Sequence, residues 1–274
     1  MTIVRPAAVA GSFYPDDADI LAGTVDGLLD EAPHEFDAAP PVAILAPHAG
    51  YMYSGPVAAS AYVRLRPWHA AYSRVVVIGP AHRAYVKGLA LSSADAFATP
   101  LGTVPIDRLA NEVLRRSKGV HVDDHAHSAE HSLEVHLPFL QRVLDPGFTL
   151  VPIVAGLADT ETVADALEPL WGAAGTLVVV STDLSHYHDR RTARQLDMVT
   201  AAEIVGGRYR DLDGEQACGV VAVRGALALA HRHSDLVSLV DLRNSGDIAG
   251  SGSRVVGYGS FVVSHTTTHG DGGG

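Results

Sequence analysis

Apolar residues along the chain come in short unbroken runs rather than in alternation. Residues 41–46, 74–78, 149–154 and 176–180 are runs of this kind, bounded by Pro, Gly, Ser or Thr. Unbroken runs of this length mark strands buried on both faces. The stretches between them have helical spacing. Residues 16–29 put Ile20, Leu21, Val25, Leu28 and Leu29 on one side, with acids in the first turn. A helix is predicted from Pro56 to about residue 66, since Pro suits a first turn. Residues 107–118 read as an amphipathic helix closed by Gly119. Helices are also predicted over 160–171, 192–205 and the Ala-rich stretch 219–230. Residues 89–92 read as a short strand, 99–105 as a turn-rich crossing, and 236–242 and 254–263 as closing strands. Residues 1–15 read as an irregular segment, either a strap over the core or a wall of the pocket.

Alternating apolar strands and helices predict an α/β fold. One domain, residues 1–264, is expected, with a central, mostly parallel sheet flanked by helices. The Thr/Gly-rich tail, 265–274, is expected to be disordered.

The 274 residues carry a formal net charge of -11, which disfavours nucleic acid and acidic membrane surfaces as partners. No apolar run approaches a membrane span, and Met1 to Pro6 lacks a signal-peptide pattern. The single cysteine, Cys218, fits a reducing compartment, so a cytoplasmic location is expected.

The placement of the histidines brings in chemistry. His48, His82 and His186 each lie just past the carboxyl end of an apolar run. In an open parallel sheet these ends share one edge, where ligands bind. Neutral imidazoles gathered there suggest a metal site. Asp183, Glu134, Glu215 and Cys218 are the candidates for a further ligand. Cys218 precedes the 219–230 helix, whose amino terminus favours a thiolate. Asp183 can orient an imidazole, and His186 can act as a general base. The densest polar stretch, 121–138, holds five histidines and four acids. On a helix Glu130 and Glu134 would share a face, as would His127 and His131. A helix kinked at Pro138 is expected to follow. This stretch reads either as a solvated helix start or as a pocket wall supplying Glu134 and His136. Neither Ser181 nor Ser185 sits in a Gly-x-Ser-x-Gly elbow, and no glycine-rich phosphate-binding pattern occurs.

Five segments, taken in order, resemble the motifs of the Memo family, the B component of the AmmeMemoRadiSam system. They are Ala46-Pro-His48-Ala-Gly-Tyr51, Gly79-Pro-Ala-His82, Glu130-His-Ser-Leu-Glu134-Val-His136-Leu-Pro138, Ser181-Thr-Asp183-Leu-Ser-His186 and Ala217-Cys218-Gly219. Gly11-Ser-Phe-Tyr14 is similar to the family's opening motif, so the resemblance spans nearly the whole chain. It implies a fold similar to the catalytic subunit of LigB-type class III extradiol dioxygenases. It also implies His48, His82 and Cys218 as metal ligands, with Asp183 and His186 lining the pocket; these two are the expected catalytic groups, and Tyr51, Glu134 and His136 are expected around the pocket. Iron(II) or copper is the implied ion, with zinc a weaker candidate. Redox or dioxygenase-like chemistry on an unidentified substrate, a small molecule or a peptide, is the leading expectation. The alternative is a peptide- or partner-binding scaffold working with a radical-SAM protein. The chain departs from the pattern at Val220-Val221, where relatives often carry an Arg-His pair.

Overall fold

The computed structural model describes residues 2–33, 35–250 and 253–266. The tail beyond residue 266 therefore lies outside the described residues. The chain opens with β1 (Val4–Arg5) and α1 (Ala18–Glu31). Asp17 stays outside α1 as its cap, accepting the Ile20 N–H. Next come β2 (Ala43–Ala46) and α2 (Tyr51–Tyr62), then a 3-10 segment (Val63–Ala71) and β3 (Arg74–Pro80). The sequence places the start of α2 at Pro56, but Pro56 lies inside it. Its ring removes one hydrogen bond, to the carbonyl of Met52, and Met52 is 69% exposed, so water can replace it.

β4 (Leu89–Leu91) precedes a hairpin of β5 (Ala96–Thr99) and β6 (Gly102–Pro105), where the sequence suggests only a crossing. α3 (Arg108–Leu114) is shorter than its pattern, and turns carry the chain to Gly119, at φ 81°, and β7 (Val120–Val122). The polar stretch is not one helix. α4 (Asp124–Ser128) ends after a turn, a 3-10 turn spans Glu134–His136, and α5 (Leu137–Val143) follows. Pro138 falls in the first turn of α5, so no kink results. The rest is β8 (Thr149–Ala155), α6 (Thr160–Leu167), β9 (Thr176–Ser181), β10 (His186–His188), α7 (Arg190–Val205), α8 (Val220–His233), β11 (Leu236–Asn244), α9 (Ser245–Ala249) and β12 (Val255–Ser264).

One large sheet runs β10-β12-β2-β9-β3-β8-β4-β7, with β11 on β12. Its centre, β2-β9-β3-β8, is parallel as expected. The sheet as a whole is mixed. β12 is antiparallel to β2, β10 and β11, and β4 is antiparallel to β8. Helices cover both faces, and β3 shows how. Val75 and Val77 join Leu21, Tyr62 and Phe139 from α1, α2 and α5. Val76 and Ile78 join Val163, Leu167 and Leu227 from α6 and α8. Two covered faces explain why the central strands are apolar throughout.

Candidate metal centre

The parallel register aligns the strand ends. Ala46 pairs with Ser181, and Ile78 pairs with Val180, so the loops after β2, β3 and β9 leave side by side. They carry His48, His82 and Asp183. Cys218 arrives from the turn before α8, and Gly219 makes this approach feasible. A Cβ there would lie 2.4 Å from the Ser181 carbonyl oxygen and 2.8 Å from Thr182 Cβ. With hydrogen in its place, Gly219 N–H donates to Thr182 Oγ1 at 3.0 Å and Cys218 N–H donates to the Asp183 carbonyl at 3.2 Å. Asp183 N–H in turn donates to Cys218 Sγ at 3.3 Å.

One ligand atom each from His48, His82 and Cys218 lies within 4.8 Å of the others. Cys218 Sγ is 3.3 Å from His48 Nε2, although 170 residues separate them in sequence. The ring centroids of His48 and His82 are 5.1 Å apart. A tetrahedral ion with N and S bonds of about 2.0–2.3 Å needs donor–donor edges of roughly 3.3–3.8 Å. The thiol–imidazole edge already has that length, and small side-chain shifts close the rest. The donor set fits an ion.

The protonation states follow from burial. His48 is held well below the usual imidazole range, first by burial and then by the charges of His82, His131, His136 and His186. Burial also pushes the Cys218 thiol up to about 12, and the Asp183 charge adds to this. Without an ion the thiol therefore keeps its proton, and the α8 amino terminus does not produce the thiolate that its position suggests. A bound cation reverses that balance, because coordination removes the thiol proton. Asp183 rises to about 7 through burial, opposed by the backbone N–H of His48, the His82 charge and the Ala49 N–H. Its Oδ1 accepts the His48 N–H at 2.7 Å and so fixes the loop that carries His48. His186, half-buried in β10, is lowered by burial and by the His82 charge, against a hydrogen bond with the Leu184 backbone.

The remaining expected pocket residues make the following contacts. Tyr51 packs against Tyr14 and Phe139, and its hydroxyl donates to the Val135 carbonyl at 2.6 Å. Glu134 is fully buried and pairs with Arg5, while also accepting the N–H groups of Ala8 and Val9 and the Tyr14 hydroxyl. It therefore anchors the N-terminal strap. His136 Nδ1 is 2.9 Å from the Tyr62 hydroxyl. Glu130 and His131 of this stretch lie directly against His82. Glu130 Oε1 is 3.0 Å from His82 Nδ1, and the His131 ring stacks on that of His82 at 4.6 Å. His82, Glu130 and His131 also group within 4.8 Å of one another. Burial pushes Glu130 up, but hydrogen bonds from the His82 ring and from the Ser132 and His82 N–H groups outweigh it and hold the carboxyl at about 2. Helical spacing makes Glu130 and Glu134 equivalent. The break after Ser128 makes them different, and the sequence carries no clear signal of that break.

The model of the Memo-like protein family matches residues 5–262. A MEMO1 family protein of Aquifex aeolicus is 37% identical over 265 residues, covering 93% of this chain and 97% of the relative. One from Methanothermobacter thermautotrophicus is 36% identical over 280 residues, covering 93% and 99%. One from Thermoplasma volcanium, MEMO1 family protein TV1383, is 31% identical over 269 residues, covering 95% and 98%.

Proposed function

The chain belongs to the Memo-like protein family, and from that premise we propose that it is a metal-dependent redox protein. His48, His82 and Cys218 hold one non-haem iron or copper ion for dioxygenase-like chemistry on a small organic molecule. The observation that carries this reading is the 3.3 Å approach of the Cys218 thiol to His48 Nε2 at the sheet edge. Two imidazoles and a thiolate suit iron, copper and zinc, and an ion with three protein ligands keeps positions open for substrate. When bound, iron or copper supplies electron transfer at those open positions.

The protein's own groups supply the rest. Asp183 fixes the His48 loop through its backbone N–H. His186, neutral because burial lowers it, accepts a proton from a bound hydroxyl or water. The His82 side chain is 30% exposed, which leaves a path for ligands from solvent. The single cysteine supports a cytoplasmic setting, where a lone thiol stays reduced. Among the described residues no helix is long and apolar enough to cross a membrane.

The test is anaerobic titration with Fe(II), and with Co(II) as a spectroscopic stand-in. A sulfur-to-cobalt charge-transfer band that disappears in Cys218→Ser, with binding lost in His48→Ala, supports the assignment. Stoichiometric binding that survives both substitutions overturns it.

A further inference from the structure

A neutral imidazole carries its proton on either Nδ1 or Nε2, and only the bare nitrogen can bind a metal. The hydrogen bonds around His48 and His82 fix that choice without reference to an ion. Ser181 Oγ lies 2.6 Å from the Ser132 carbonyl. A carbonyl can only accept, so the hydroxyl directs its one proton there. The same Oγ lies 2.6 Å from His48 Nδ1, where it can now act only as acceptor. His48 therefore bears its proton on Nδ1, and its bare Nε2 faces Cys218 Sγ.

Glu130 sets His82 in a different way. Its Oε1 accepts the backbone N–H groups of His131 at 2.9 Å and Ser132 at 3.0 Å, and its Oε2 accepts that of His82 at 2.6 Å. Backbone N–H groups can only donate, so both oxygens are acceptors. His82 Nδ1, 3.0 Å from Oε1, is the fourth donor, which leaves Nε2 bare. Both arrangements turn on Ser132. Its N–H donates to Glu130, its carbonyl accepts from Ser181, and its own hydroxyl donates to the Pro80 carbonyl at 2.8 Å, where β3 ends before His82.

We propose that Ser181 and Glu130 are positioning residues, joined through Ser132, that lock His48 and His82 in the Nδ1–H form, so that both Nε2 lone pairs are ready before an ion arrives. The purpose of the lock rests on the metal-binding reading above, whereas its geometry does not. Neither residue touches the ion, and each acts through the ring it holds.

Long-range proton–nitrogen NMR of the metal-free, full-length protein, with labelled histidine, reads the tautomers directly. In the wild type His48 and His82 are expected to show a protonated Nδ1 and a pyridine-like Nε2. Ser181→Ala, nearly isosteric, should shift His48 toward the Nε2–H form and leave His82 unchanged. Glu130→Ala, which removes both acceptor oxygens, should do the reverse. Each should weaken Co(II) binding by roughly 10- to 100-fold, with thermal unfolding followed in parallel to separate this effect from lost structure. An Nε2 proton on either wild-type ring overturns the proposal, as does Ser181→Ala binding Co(II) like the wild type. Wild-type protein with the expected tautomers but no Co(II) affinity would support the lock and reject the metal site, so the two failures are distinguishable. Should Ser181→Ala fail to fold, the wild-type spectrum and Glu130→Ala still decide.

Discussion

At Gly219 the close approach of two backbones decides whether Cys218 reaches the imidazoles. An added Cβ would meet the Ser181 carbonyl oxygen and the Thr182 side chain, neither of which can swing aside. Gly219→Ala is expected to cost about 1–3 kcal/mol through overpacking and to weaken Co(II) binding, because relief of the clash moves the thiol outward. Urea unfolding and Co(II) titration check the two effects separately. A buried histidine outside the centre gives a pH prediction. His127 is 1% exposed, its Nε2 is 3.0 Å from the Ala90 carbonyl, and burial pushes it down to about 4. Above pH 6.5 the ring is neutral in both folded and unfolded chains, and its stabilising contribution is complete. As the pH falls from 6.5 toward 4 the unfolded chain binds a proton that the folded ring refuses, so stability drops. Between pH 7 and 5 the loss from this ring is about 2 kcal/mol. Other buried histidines add to the acid loss and raised carboxyls such as Asp197 oppose it, so the comparison is wild type against His127→Gln. The variant should lose about 2 kcal/mol less over that interval in urea titrations. At this scale Cys218 was one of four candidates until the family resemblance singled it out, whereas the placement of His48 and His82 could be read from the ends of apolar runs. Glu130 could not, since its role depends on a turn stabilised by its own carboxylate.

The elements were most legible where local chemistry agrees with tertiary packing. The α1, α3, α6 and α7 helices all begin behind an aspartate whose side chain accepts a first-turn N–H. The central strands could be read from their apolar runs. The antiparallel flanks could not, because strand direction is set by connections. Residues 245–254, which include the short α9, are all that separate β11 from its antiparallel partner β12, so the chain must double back. The contact of α6 with α8 gives a prediction in which two known effects oppose each other. A Cβ at Gly225 would lie 2.2 Å from Val163 Cγ1 and 2.5 Å from Val163 Cβ. Gly225→Ala gains about 1 kcal/mol of helix propensity but forces the two helices apart, at a cost of about 1–3 kcal/mol. With Val163 fully buried on the facing helix, the packing loss should win. A lowered urea midpoint is expected, with Co(II) affinity little changed, since Gly225 lies more than a helical turn from Cys218.

Across the whole molecule, the three proposed ligands come from places far apart in sequence but anchored in one layer. His48 follows β2, His82 follows β3, and Cys218 is tied by backbone hydrogen bonds to Asp183 at the end of β9. An ion here therefore joins the parallel core to the start of α8, instead of clamping a loop that opens by itself. Were these three residues to hold an ion, they could not separate without unfolding the core, so binding should be linked to global stability. At free Co(II) 100 times its dissociation constant, the expected stabilisation is about 2.7 kcal/mol. The thermal midpoint should rise with metal concentration, and hydrogen exchange should slow across β2, β3, β9 and the first turn of α8 together. Protection confined to the 48–51 loop would mean that the ion binds a local opening unit. A midpoint that rises equally in Cys218→Ser would mean that it binds elsewhere. Either result would separate the metal from the sheet edge on which the proposed chemistry depends.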